Sequence, residues 1–174
     1  MKLKLLNGAV FNLSWLLIVS SQSALLAWIV AAVHVGLHMM IMGKGRAEWM
    51  FILLMCGFGL VTDQLLFVTG IMHLPSASAA PLWLSALWPV LATTSMHVFS
   101  GLRENILLAS TLGAVGGFLS YRLGVAISAV EFGLMPVSGI LLALLWALIF
   151  PTMLFVAWQL QQQHQEAADA HAAC

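Results

Sequence analysis

Six runs of apolar residues, parted only by short polar breaks, fill the chain from Leu5 to Leu160. A helix needs about 17–25 such residues to cross a bilayer, and the runs match that length. Of the 174 residues, 62% are hydrophobic and 7% charged, too few polar groups to coat a water-soluble core of this size. The runs are continuous rather than alternating with a period of two, which argues against a β-barrel. The expectation is an all-α integral membrane bundle of six transmembrane helices, one domain over 1–160 with a polar tail over 161–174.

The spans are expected near 5–21, 24–42, 48–70, 82–100, 105–121 and 136–159. Lys2, Lys4, Lys44, Arg46 and Arg103 fall on one side of this arrangement and Arg122 on the other, so both termini are expected in the cytoplasm. The start, Met1-Lys2-Leu3-Lys4 before apolar residues, resembles a signal peptide, but Asn7 and Asn12 interrupt the apolar region and favour a retained span. Residues 122–135 are too apolar for a free loop and too short to cross and return. An interfacial helix between spans five and six, or an outward extension of the fifth, fits them. Pro89 and Pro151 are expected to bend the fourth and sixth spans. Gly113 and Gly117 form a GxxxG pair that suits close helix packing within the bundle, with dimerisation as the alternative.

Net charge is zero, six basic against six acidic residues, leaving no basic surface for nucleic acid. Cys56 in an apolar run and Cys174 in the tail suggest no disulfide and no metal-type spacing. Phosphate loops, dinucleotide-binding glycine fingerprints and nucleophile elbows are absent from the sequence.

Polar groups inside the spans carry the functional information, because each costs free energy unless paired or wetted. At about 1.5 Å per residue, Asn12, His38 and His97 lie roughly 8–10 Å from the cytoplasmic boundary. His34 falls near the midplane, and Asp63 roughly 8 Å below the outer boundary with Arg122 closer to it. Two polar layers result.

His34 and His38, four residues apart, project from one helix face, and His97 at a matching depth supplies a third ligand for a divalent metal. The competing reading is three neutral histidines bonded to Asn7, Asn12, Ser95 or backbone carbonyls. Membrane di-iron oxygenase chemistry needs more histidines than the six present. Asp63 has no basic residue near it in sequence, and Arg122 is its natural partner at that height, with Tyr121 and Glu131 in reach. It reads either as a proton-handling or headgroup-anchoring acid or as half of an ion pair fixing the third span to the fifth. Asp63, His38 and His97 are therefore the catalytic candidates. Asp63, Arg122, Tyr121, Glu131, Asn12 and Trp15 are the ligand-binding ones. Trp83 and Trp88 suit the outer interfacial belt, and Trp15, Trp28 and Trp146 lie deeper.

Several segments together resemble the bacterial family known as DUF2878. They are Asn12-Leu13-Ser14-Trp15, Gly59 to Asp63, Pro81-Leu82-Trp83-Leu84-Ser85-Ala86-Leu87-Trp88, Gly113-Ala114-Val115-Gly116-Gly117 with Tyr121 and Gly124, and Trp146-Ala147-Leu148-Ile149-Phe150-Pro151. The resemblance implies a small inner-membrane protein of Gram-negative bacteria and leans towards lipid, and it carries over no catalytic residue.

Three functions follow as expectations. The first is binding or handling of a lipid or other hydrophobic small molecule within the bilayer. The second is a transport subunit similar in architecture to small substrate-binding components. The third is a non-catalytic scaffold. Expected partners are membrane lipids, and a membrane protein or second copy is the alternative.

Overall fold

The computed structural model describes residues 2–172, with side chains to 170; Cys174 lies outside the described residues. Helices α1 (Lys2–Ser21), α2 (Ala24–Ile41) and α3 (Arg46–Val68) come first. Next are α4 (Leu82–Ser85), α5 (Leu87–Ser95), a 3-10 turn at Ser100–Glu104, α6 (Ile106–Ile127) and α7 (Val137–Ala172). A short antiparallel ladder joins β1 (Met72–His73) to β2 (Glu131–Phe132). Five helices, α1, α2, α3, α6 and α7, are long and apolar enough to cross a membrane.

The fourth expected span is not one helix. It is α4 and α5, meeting at Ala86, followed by turns. Pro89 has no N–H to offer the Ser85 carbonyl, and its ring crowds that carbonyl, so the helix parts there and Pro89 lies in the first turn of α5. At the other end Thr93 and Thr94 turn their hydroxyls back onto the carbonyls of Val90 (2.7 Å) and Leu91 (2.6 Å), and the helix stops after Ser95. Broken backbone at this depth is tolerated only inside protein. α5 meets that condition, being buried along most of its length and packed on α1, α2, α3 and α7. This short, broken segment lies at the core of the bundle.

Residues 122–135 hold no separate interfacial helix. α6 runs on to Ile127, and the chain then becomes extended. Met72 and Phe132 face inward in the ladder while His73 and Glu131 face outward, so a strand's alternation buries the apolar side chains a helix was expected to cover. Gln22 Oε1 accepts the Ala129 N–H (2.8 Å) at this same end, beside the Gly133 N–H to Ile71 carbonyl bond.

The opposite end gathers Lys4, whose Nζ donates to Ser100 Oγ (3.1 Å), and Lys44, whose Nζ donates to the Met96 carbonyl (3.0 Å). Gly113 and Gly117 are used within the bundle: a Cβ at either would collide with Trp146 of α7. Pro151 stands inside an unbroken α7.

Candidate functional site

Two sites emerge. One is a polar cluster near the lysine-bearing end; the other is an aromatic-walled cavity.

The turn at Gly43-Lys44-Gly45 reverses the chain between α2 and α3, with Gly45 at φ +82°, a backbone that side chains beyond glycine rarely adopt. This brings Glu48, in the first turn of α3, level with His38 near the end of α2. His97 arrives from the turn that follows α5. The Nε2 atoms of His38 and His97 stand 2.8 and 2.9 Å from the same oxygen, Glu48 Oε1. The Lys44 backbone N–H donates to the other oxygen, Oε2, at 2.7 Å. Glu48 is fully buried, and both histidines are buried too. Among the described residues no Lys or Arg side chain pairs with it.

The cluster extends upward through α1. Asn7 Nδ2 lies 3.3 Å from His38 Nδ1 and donates to the Thr93 carbonyl at 3.3 Å, a group released by the end of α5. His34 sits one turn deeper, with Nδ1 2.9 Å from Ser14 Oγ and Nε2 3.0 Å from Thr93 Oγ1. Both of its nitrogens are thereby engaged. Of the expected trio of His34, His38 and His97, the structure brings His38 and His97 together on Glu48, while His34 ties α1 to α5. Glu48 falls at the boundary of the third run, where a carboxylate reads as a helix-end residue. Its ten-residue spacing from His38 across a Gly-Lys-Gly turn was the available signal.

Asp63, also fully buried, does not pair with Arg122, which is exposed. Ser85 Oγ donates to Asp63 Oδ2 (2.7 Å), and Trp88 Nε1 donates to Oδ1 (3.1 Å). Ser85 and Trp88, three residues apart on either side of Ala86, both reach Asp63. Trp83 and Trp88, expected in an interfacial belt, are instead buried. Gly59, one turn before Asp63, leaves room for the Trp88 ring, which a Cβ there would overlap. Glu131 is half exposed and meets His73 across the ladder (Oε2 to Nε2 3.2 Å), so it joins no site with Asp63.

Trp88 stacks on Trp146 (centroids 5.4 Å apart, planes at 12°), and Tyr121 lies against Trp146 at 6.3 Å. These rings wall a cavity of about 490 Å³. Phe11, Asn12, Trp15 and Val19 of α1 line it on one side, and Leu112, Gly116, Leu119, Ser120 and Gly124 of α6 on the other. Asn12 is tied to its own helix through the Gly8 carbonyl (2.8 Å). α6 packs closely on α7 and only lightly on α1, so the cavity fills the gap between α1 and α6. The rim residues Leu112, Leu119 and Leu123 are exposed. Of the expected ligand-binding residues, Tyr121, Asn12 and Trp15 line this cavity. Asp63 stands behind its Trp88 wall.

A family model described as "Protein of unknown function (DUF2878)" matches residues 4–152. The chain belongs to this family. Every residue of the histidine cluster and of the cavity falls within the stretch matched to DUF2878. No curated protein and no solved structure matches the chain.

Proposed function

We propose that this DUF2878 protein binds a lipid or another hydrophobic small molecule inside the bilayer, in the cavity between α1 and α6. The observation that carries the reading is the cavity's form. At about 490 Å³ it has the size of a small-molecule site, with aromatic walls and a few polar groups. Its gap lies between two helices whose outer faces are apolar and exposed, the direction from which a membrane-dissolved ligand arrives. The wall is held stiffly. Asp63 fixes Trp88, Trp88 stacks on Trp146, and Gly117 seats Trp146 against α6. A preformed apolar pocket loses little ordering free energy when it binds.

The protein resides in the inner membrane with both termini in the cytoplasm. Support comes from Lys2, Lys4, Lys44, Arg46 and Arg103, which the sequence assigns to one side. The bonds from Lys4 to Ser100 and from Lys44 to Met96 bring three of the segments involved to one end of the bundle. The α4–α5 segment makes the fourth crossing, shielded from lipid by the helices around it.

Gly116 lines the cavity, and a Cβ there would meet nothing within 4 Å. Gly116→Trp therefore brings a large ring into the cavity from a position whose Cβ touches no wall. Quantitative mass spectrometry of apolar molecules bound to the purified protein tests the reading. Wild type retains one dominant species in near-stoichiometric amount, and Gly116→Trp loses it. Equal recovery from both proteins would refute the proposal.

A further inference from the structure

We propose that His38, Glu48 and His97 form a binding site for a divalent first-row metal ion, with Zn²⁺ or Fe²⁺ the chemistry the ligands suit. This site is separate from the cavity and does not rest on the lipid reading. Two imidazoles from different segments aim their Nε2 atoms at one carboxylate oxygen, and the three ligand atoms lie within 4.8 Å of one another. The rings stand nearly perpendicular, 82° apart with centroids 4.8 Å from each other, so their edges converge from two directions. Zinc at about 2.0–2.2 Å from nitrogen and oxygen ligands needs donors roughly 3.3 Å apart in a tetrahedron. The present 2.8 and 2.9 Å separations reach that by opening a few tenths of an ångström. Two histidines and a carboxylate are a familiar ligand set for both ions, with further coordination positions left to water or substrate.

The surroundings favour a cation. Among the described residues no Lys or Arg side chain meets the buried Glu48, whose carboxylate is faced only by the two imidazoles and the Lys44 N–H, and buried charges are ordinarily paired or bound to metal. Its second oxygen is held by the Lys44 backbone N–H, the kind of outer bond that orients a ligating carboxylate. Asn7 provides the second observation. It is 4% exposed, it lies against His38 Nδ1, and its Oδ1 has no partner. As arranged, Asn7 Nδ2 faces Nδ1, so His38 keeps its proton on Nε2 and donates it to Glu48. Metal binding moves that proton from Nε2 to Nδ1. A half-turn of the amide then lets the orphaned Oδ1 accept it, the outer-sphere bond that ligating histidines ordinarily make. The turn gives up the Asn7 bond to the Thr93 carbonyl. His34 is excluded from the ligand set because Ser14 and Thr93 occupy both of its nitrogens.

The test is Co²⁺ titration of the full chain in detergent, its affinity tag removed, after chelator dialysis, with visible d–d absorption as the readout and Zn²⁺ as competitor. Expected is one Co²⁺ per chain, displaced by Zn²⁺, lost in His38→Ala and His97→Ala and kept in His34→Ala. Asn7→Ala removes no ligand and should weaken binding by about 10–100-fold. Glu48→Gln preserves an acceptor for both imidazoles and serves where an alanine variant fails to fold; it too should lose the Co²⁺ spectrum. Folded wild-type protein that gives no Co²⁺ spectrum and retains no Zn²⁺ by elemental analysis would reduce the cluster to a hydrogen-bonded packing device and overturn the proposal. So would binding that survives replacement of His38, Glu48 and His97. Because Gly116→Trp leaves these ligands untouched, failure of the cavity reading and failure of the metal reading are observed separately.

Discussion

Asp63 accepts the indole N–H of Trp88 at 3.1 Å, in the interior of a bundle whose perimeter is apolar. With Ser85 on its other oxygen, the carboxyl group meets donors on both sides. Asp63→Asn places an amide N–H₂ against one of those donors. Asp63→Ala leaves both without a partner. An unsatisfied buried donor costs about 1–3 kcal/mol, so both variants should melt at lower temperature than wild type, alanine more so. Thermal unfolding in detergent followed by near-ultraviolet circular dichroism checks this, since Trp88 and Trp146 should also lose their fixed stacking signal.

Gly116 and Gly117 are neighbours in sequence with opposite surroundings. A Cβ on Gly117 would strike the Trp146 side chain, whereas one on Gly116 enters open space. Gly117→Ala should destabilise the protein by about 1–3 kcal/mol, the usual cost of overpacking. Gly116→Ala should stay within about 0.5 kcal/mol of wild type. Melting both variants side by side is the check; equal losses would mean that α6 is free to shift away from α7.

His34 joins Ser14 of α1 to Thr93 of α5. Its loss leaves the Ser14 hydroxyl without that partner, while Thr93 keeps its bond to the Val90 carbonyl. The sequel is a coupling between His34 and Ser14. In a double-mutant cycle of His34→Ala and Ser14→Ala the two effects should fall short of additivity by about 0.5–3 kcal/mol. Strict additivity would show that the bridge carries no stability.

Much of the architecture was legible in the sequence because hydrophobic run length is a strong constraint in a bilayer. Five of the six runs became long helices, and the breaks at Ser20 to Ser23 and at Gly43 to Arg46 fell where helices end. The 82–100 run misled because composition cannot separate a lipid-facing helix from a broken core element, both being apolar. Pro89 marks the discontinuity, but in the sequence it reads equally well as a bend. Depth counting puts His38 and His97 at one level, and both meet Glu48 in the structure, yet it also pairs Asp63 with Arg122. Two residues at one height can point in different directions, and Arg122 points outward. Glu48 and Thr93 became visible only when the chain reversal at Gly45 and the end of α5 brought them beside the histidines.

His73 and Glu131 cap the far end of the bundle through a pair that is roughly half exposed. Such pairs contribute little in water, typically under about 1 kcal/mol. Glu131→Gln should therefore leave the melting temperature nearly unchanged. A large loss would mean that the β1–β2 ladder depends on that charge and not on the burial of Met72 and Phe132.

The orientation proposed above rests on the placement of the cations. A fluorescent protein fused after residue 174 should light up, and alkaline phosphatase fused there should stay inactive, as cytoplasmic fusions do. Phosphatase fused within 74–80 should be active, since that loop lies at the end away from Lys4 and Lys44.

The most direct measurement is an electron-density map of the protein crystallised from a lipidic mesophase. Continuous density for an elongated apolar molecule, entering between α1 and α6 and resting on Trp15, Trp88 and Trp146, is the expected result. Closure of α1 onto α6, with the space collapsed or holding only water, would contradict it.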